Sequence, residues 1–585
     1  MKLPAAPEKF RALAPAALLA AAGILAYANS FRGQFVYDDI RAIVDNPHIR
    51  QVFPLGRSLT GPGDSPTRDR PVLSFTLALN YAAGGLDPSG YHLVNLVIHI
   101  LAGLTLFGIL RRTFADSRFP PGFRQGAAGL AFSSALLWLL HPLQTSAVTY
   151  VIQRSESLSG LFYLLTLYCF IRGASSAGRR FWFAGAVIAC ALGMGTKAVT
   201  VTAPVMVFIY DAVFVSRSPA GAARRHRILY SFLAATWLIQ VWLLLRTSYP
   251  DLAGLSPLRY LLTQPAVLLH YLRLAFFPHP LCLDYAWPLA RGTGEVLPGA
   301  LVIGGLLTLT VYGLIRKPAL GFAGAWFFLI LAPTSSFFPL EDPAFEHRMY
   351  LPLAAILTLA AGAVFGLLRR LPSPAGRRTL AAVLLLAVAG TFAGRTRERN
   401  RIFHDPLALW REVILLRPRN PRAYYNYGLE LANAGRTEEA ARSYRQAIRL
   451  KPDYAEAYNN LGVLLAEGGV HSRAIQYFDY ALEIKPRYWE AQFNRGVALS
   501  QAGKYREAVA AFRESLRIQP DYPPSHFQAG EALRRQGRHR EAAEHYRQAL
   551  QLNPDYLPVL RSLTAGFFQA ESPDIGGLYL DLLED

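Results

Sequence analysis

Five prolines, Pro418, Pro452, Pro486, Pro520 and Pro554, recur every 34 residues towards the end of the chain. A fixed period of that length admits few folds, because each unit must be a small element that buries its face only against its neighbours. Aligned on the prolines, the units are 421–454, 455–488, 489–522 and 523–556. Gly428, Gly462, Gly496 and Gly530 share one position, and Ala440, Ala474, Ala508 and Ala542 a second. Tyr444, Phe478, Phe512 and Tyr546 share a third.

A small residue facing an aromatic one at this spacing is the tetratricopeptide pattern: two antiparallel helices per repeat, stacked into a superhelix with a concave groove. Asn426, Asn460, Asn494 and Gln528 recur at the sixth position of each first helix. A carboxamide offers a donor and an acceptor, so such a column could pair with the backbone of an extended acceptor peptide whatever its sequence. Asn could equally recur there because such repeats favour it. Segment 396–420 reads as a connecting helix, and 557–585 as a C-terminal cap and acidic tail.

The remainder is of another kind. Of the 585 residues 52% are hydrophobic, and mean hydropathy is +0.21. Most of that excess lies in 1–395, where apolar runs alternate with short basic clusters. A span needs about 20 mostly apolar residues. Candidates fall near 11–29, 91–110, 126–141, 157–172, 181–196, 199–215, 228–246, 297–315, 319–334, 350–368 and 378–394, about eleven in all. Stretch 259–277 carries Gln264, His270 and Arg273 and is expected to lie along the interface. The expected fold is all-α: a polytopic helical membrane domain, then an α-solenoid.

The net charge of +20 does not indicate nucleic acid, because Arg111-Arg112, Arg179-Arg180, Arg224-Arg225, Arg316-Lys317, Arg369-Arg370 and Arg377-Arg378 all end apolar runs. They read as cytoplasmic anchors. Met1–Asn29 starts like a signal peptide, with Lys2, Lys9 and Arg11 before an Ala/Leu run, but with so many later spans it reads as an uncleaved first helix. Counting from a cytoplasmic N-terminus places 30–90, 142–156, 247–296, 335–349 and everything after 395 on the outer face. Arg395, Arg397, Arg399 and Arg401 then run against the positive-inside tendency. Cys169, Cys190 and Cys282 show neither a pairing framework nor metal spacing.

Polar groups gather on that outer side. Asp38-Asp39 sits in the first outer loop, where two carboxylates could act as a general base or as oxygen ligands for Mg²⁺ or Mn²⁺. A solvated turn is the plain alternative. His92, Asn95 and His99 open the second span, His141-Pro142 ends the third, Arg154 and Glu156 precede the fourth, and Lys197 lies between the fifth and sixth. Glu346, His347 and Arg348 open the tenth, and opposite charges at a membrane boundary suggest an anionic headgroup.

These residues resemble a family: the transmembrane and tetratricopeptide repeat-containing O-mannosyltransferases and their prokaryotic relatives, of the GT-C glycosyltransferase superfamily. The likeness rests on Phe35-Val36-Tyr37-Asp38-Asp39, Ala42-Ile43, Arg70-Pro71, Tyr91-His92-Leu93-Val94-Asn95, His141-Pro142 and Gln153-Arg154-Ser155-Glu156. It continues through Ala332-Pro333-Thr334-Ser335, Glu346-His347-Arg348-Met349-Tyr350-Leu351-Pro352 and the repeats. Relatives often carry Glu at the positions of Ser146 and Ala198. The resemblance implies a sugar donor on polyprenyl phosphate, mannose by family, presented at the outer face, with Ser or Thr of an acceptor protein receiving the sugar.

On that basis Asp38 or Asp39 is expected to take the acceptor proton. Arg348, Arg154, Lys197, Glu346 and His347, or a divalent cation, would receive the donor phosphate. Composition fits a bacterial inner membrane with the repeats in the periplasm; the family also includes endoplasmic reticulum proteins. Two other readings stay open: a non-catalytic scaffold recruiting partners through its repeats, or an outer-face enzyme modifying a glycan or lipid.

Overall fold

The computed structural model describes residues 8–558 and 561, apart from 64, 177 and 247–255, and among these there are helices but no strand. The first seven residues, including Lys2, and most of the expected cap and tail at 557–585 lie outside the described residues. The chain divides into two compact units, Met1–Leu416 and Arg417–Asp585.

In the first unit every expected span coincides with a helix. Seven are long and apolar enough to cross a membrane: Leu13–Arg32, Pro88–Phe114, Val151–Ala174, Ala198–Val215, Arg227–Arg246, Thr293–Arg316 and Pro374–Ile402. An eighth is broken: Ala127–Leu140 and Pro142–Val148 meet at 53°. The residue before a proline is forced out of the helical region, and His141 accordingly sits at φ −67°, ψ 132°. The other three fall on Arg179–Met194, Pro318–Leu331 and Pro352–Leu368, of 16, 14 and 17 residues. At about 1.5 Å per residue the shortest is about 21 Å long, less than the roughly 30 Å hydrocarbon core. Among the described residues, then, all eleven expected spans are helical, but only seven or eight are both apolar and of full crossing length.

Stretch 259–277 forms Pro257–Phe276. It buries Tyr260, Val267, Tyr271 and Leu274 while exposing Leu258, Leu262 and Phe276. That helix is not among those apolar enough to cross.

Of the four arginines after the last apolar run, Arg397 and Arg399 are used in packing, while Arg395 and Arg401 are exposed. Pro374–Ile402 continues past its apolar part and docks on the end of the first helix. There the Asn400 amide donates to Asn29 Oδ1 at 3.1 Å and to the Ala26 carbonyl at 3.3 Å. The Asn29 amide donates in turn to the Arg397 carbonyl at 2.8 Å. Arg399 pairs with Glu412.

The second unit is built of four helix pairs: Pro421–Asn433 with Thr437–Leu450, Ala455–Glu467 with His471–Ile484, Trp489–Gln501 with Tyr505–Ile518, and Pro523–Arg535 with His539–Leu552. Each pair turns on a glycine in the left-handed region, Gly435, Gly469, Gly503 and Gly537, at φ 71° to 76°. Side chains other than Gly, Asn and Asp rarely adopt that backbone. The repeated Gly and aromatic positions meet: a Cβ on Gly496 would lie 2.6 Å from the Phe512 ring. Gly496→Ala should therefore cost about 1–3 kcal/mol through overpacking of a fully buried ring. Hydrogen exchange should show faster opening of Trp489–Gln501 and Tyr505–Ile518; unchanged protection there would mean the ring moves aside freely.

Candidate active site

The basic clusters and the candidate polar residues occupy opposite ends of the same helices. In Arg154–Ala174, Glu156 lies in the first turn and Arg172 in the last. Lys197 follows the end of the helix that Arg179 begins. Glu346–Met349 precedes Pro352–Leu368, and Arg369 follows it. Charges are thereby segregated to the two ends of an apolar body.

At the end away from the basic clusters the two adjacent carboxylates have different surroundings. Tyr37 adopts φ 51°, a left-handed backbone that costs a non-glycine residue roughly 1–2 kcal/mol. It is held by the edge of its ring against Trp410, 5.3 Å between centroids. The turn buries Asp39 completely. One Asp39 oxygen accepts the Val36 N–H at 3.1 Å and the other the Ile152 N–H at 2.7 Å, so its carboxyl ties the outer loop to the chain before Arg154. Burial pushes its pKa up to about 8. Asp38 is half-buried, and its backbone N–H donates to the Tyr150 hydroxyl at 3.1 Å.

Beside this pair lies a cationic cluster. Lys197 Nζ is 2.9 Å from Glu156 Oε1, and His347 Nε2 is 4.0 Å from the same oxygen. Burial pulls the Lys197 pKa down to about 8, against the pull of Glu156. Burial also holds His347 well below its ordinary value, with Lys197, Arg348 and Arg70 adding to the shift. Arg70 is lowered by burial too, and Glu156 and Asp38 are the first of the charges that sustain it. Five stretches separated in sequence thus contribute Asp38, Arg70, Glu156, Lys197 and His347 to one field.

Three other candidate residues are occupied differently. Arg154 is fully buried; it donates to Asn95 Oδ1 at 2.6 Å, the Thr76 carbonyl at 3.2 Å and the Tyr91 carbonyl at 3.1 Å. Its fork clamps helices together. Arg348 donates to the carbonyls of Asp342, Pro343 and Thr334 at 2.7, 2.7 and 3.3 Å, which folds the preceding loop around it. Glu346 accepts the Tyr285 hydroxyl at 2.8 Å and the Cys282 N–H. Burial raises its pKa, with Arg399 opposing, so it belongs to a neighbouring cluster.

His99 bonds the Tyr350 hydroxyl at 2.9 Å, His141 the Ala275 carbonyl at 3.1 Å, and His92 the Gly33 carbonyl at 3.3 Å. These are links between helices. Ser146 is buried, and Ala198 is exposed directly after Lys197. An apolar cavity of about 450 Å³ lies between the helices towards the end that bears the basic clusters, lined by Leu106, Thr113, Phe214, Leu320, Trp326 and Thr358 among others.

A protein-built cage for Mg²⁺ or Mn²⁺ does not fit this donor set. Such ions take six or more oxygen ligands, several of them from carboxylates or substrate phosphates. Both Asp39 oxygens are spent on N–H groups, and among the described residues no three His, Cys, Asp or Glu side chains gather for a metal.

In the repeats the amide column joins a relay. The Asn494 amide donates to Asn459 Oδ1 at 2.9 Å, Asn459 to Asn460 Oδ1 at 3.0 Å, and Asn460 to the Tyr425 hydroxyl at 3.2 Å. Asn426 donates to its own helix, at the Arg422 carbonyl, 2.8 Å, and Gln528 is half-buried. Sequence reasoning missed Asn459, one residue off the periodic column. It also noted Arg70 only as part of a motif, although an arginine just before a helix-opening Pro71 is held close to its neighbours by the turn.

Comparison with known proteins agrees with both halves. Residues 428–469 match the family model for a TPR repeat, and 455–488, 489–522 and 523–556 match tetratricopeptide repeat models. Protein O-mannosyl-transferase TMTC4 of Mus musculus is 25% identical over 483 residues, covering 72% of this chain and 64% of that protein. The chain is similar to the transmembrane and tetratricopeptide-repeat O-mannosyltransferases. Protein O-mannosyl-transferase TMTC1 of Mus musculus is 36% identical over 166 residues, covering 27% of this chain and 17% of that protein. The chain therefore spans only part of the length of these relatives. Among solved structures, MamA from Desulfovibrio magneticus RS-1 is 20% identical with a TM-score of 0.26, covering 28% of this chain and 93% of that one.

Proposed function

We propose that the protein is a membrane glycosyltransferase that moves mannose from a polyprenyl-phosphate donor to Ser or Thr hydroxyls of acceptor proteins. The observation that carries this reading is the field shared by Asp38, Arg70, Glu156, Lys197 and His347 at one end of an apolar helical body. A carboxylate beside buried cations suits attack by a hydroxyl on a carbon whose leaving group is a phosphate.

Asp38 takes the proton of the acceptor hydroxyl as its oxygen bonds to the anomeric carbon. The carbon–oxygen bond to phosphate breaks with inversion, through an oxocarbenium-like transition state, and polyprenyl phosphate leaves with the electron pair. Arg70 and Lys197 receive its negative charge, and no general acid is needed. The relay of amides would hold an extended acceptor segment. The relatives' names support the sugar. The segregated basic clusters support an outer-face site, in a bacterial inner membrane with periplasmic repeats.

The deciding experiment gives purified chain radiolabelled polyprenyl-phosphate mannose together with membrane protein extract, glycan or lipid acceptors in separate reactions. Label in Ser/Thr of protein is expected. Label only in glycan or lipid would change the acceptor class, and none in any arm, with the protein folded, would favour a scaffold.

Lys197 adds a pH test. A lysine of pKa about 8 carries its charge at pH 7 and loses it above 8, so transfer should fall as pH rises through about 8. Lys197→Arg keeps the charge and should move that falling limb upward. An unchanged limb in the variant would take Lys197 out of the phosphate site.

A further inference from the structure

The last repeat brings two histidines together. His526 stands on Pro523–Arg535 and His545 on His539–Leu552, with their Nδ1 atoms 3.3 Å apart. His526 Nε2 lies 3.0 Å from the Pro520 carbonyl oxygen. Only a ring N–H can bond a carbonyl, so in the neutral ring the Nδ1 of His526 carries the lone pair. That lone pair faces either an N–H of His545 or a cation shared by both rings.

Geometry is met for the second. Two imidazole nitrogens each about 2.0–2.1 Å from a tetrahedral zinc ion lie about 3.3–3.4 Å from one another. A ring N–H held by a backbone carbonyl is also the usual support of a metal-bound histidine. The same two positions in the earlier repeats hold Tyr424 with Ser443, Tyr458 with Tyr477, and Gln492 with Ala511. Tyr458 and Tyr477 have ring centroids 6.2 Å apart, so these positions face each other in that repeat as well, and only the fourth fills them with two imidazoles.

Both histidines are half-buried, hence open to an ion from solution. Glu541, one turn before His545, is held by Arg513 and Arg538, which leaves two histidine ligands with water completing the shell. We propose that His526 and His545 form a binding site for a divalent transition-metal ion of the zinc and copper class, the metals that imidazole nitrogen favours. Its open positions would let the ion accept a carboxylate or imidazole from a chain bound to the repeats.

The test uses the untagged full-length chain, stripped with chelator and dialysed against Zn²⁺. The native chain should retain one more zinc ion than a His526→Gln, His545→Gln double variant of the same helical content. Equal zinc in both would reduce the pair to a hydrogen bond and overturn the site. Copper loaded onto the native chain gives a readout that needs no variant: coupling to two imidazole nitrogens in its paramagnetic resonance spectrum is expected, and fewer than two would overturn the proposal.

Discussion

Asp38→Asn should lower transfer by about 10²–10⁴-fold, the range of a lost general base, with little change in thermal unfolding. The loop is anchored by its neighbour and by the Asp38 backbone N–H, which the substitution leaves in place. Asp39→Asn should do the reverse. An amide keeps one accepting oxygen and turns its NH₂ towards the N–H of Val36 or Ile152, both of which need an acceptor. Leaving a buried donor unpaired costs about 1–3 kcal/mol, so unfolding should come earlier and activity should follow stability. The Asp39 effect also has a pH signature. With the folded carboxyl raised from 3.8 to about 8, the wild type holds a proton that its unfolded chain releases; its stability relative to the asparagine variant should fall as pH rises from about 4 to about 8, then level off. Kinetic and melting measurements on both variants decide the assignment. Normal transfer by Asp38→Asn at unchanged stability would move the base elsewhere.

Arg70→Ala is expected to lose about 10²–10³-fold in transfer, typical for one preorganised donor to a developing anion. Stability should hold, because the Arg70 guanidinium is not committed to a hydrogen-bond partner among the described residues, while Glu156 and Asp38 keep it charged. Arg70→Lys should restore part of the rate, since a lysine supplies the charge but not the planar fork. Arg154→Ala is the control. It strands the Asn95 oxygen and the Thr76 and Tyr91 carbonyls in a buried site, at about 1–3 kcal/mol for each group left unpaired, so expression and melting temperature should drop first. If Arg70→Ala melts early and Arg154→Ala stays folded but inactive, the two roles are exchanged.

The contrast between these arginines shows where sequence reading stops. The repeats were legible because period 34 dictates which residues meet: the spacing alone pairs Gly496 with Phe512. Span positions were legible too, since apolar runs need no partner to be recognised, although length alone could not separate a full crossing from the 14-residue Pro318–Leu331. What a charged side chain does at the outer end was not legible. Asp38 and Asp39 are adjacent and identical, and only the left-handed Tyr37 turn decides which one is buried. Arg154, Arg348 and Arg70 look alike in sequence, yet Arg154 is occupied by an amide and carbonyls from remote segments and Arg348 by carbonyls of its preceding loop. Partners such as those of Arg154 are set by tertiary contacts that no local pattern encodes.

The bond between Asn29 and Asn400 spans 371 residues, and that separation bears on how the molecule is made. At about 5–20 residues per second, the first helix waits roughly 20–70 seconds after synthesis before the segment that completes its seat exists. During that interval Asn29 and the Ala26 carbonyl lack the partner that Asn400 later supplies. A nascent chain arrested before residue 400 should thus present the loop that carries Asp38 without its final support, and the site would be completed only after the other helices of the first unit have been made.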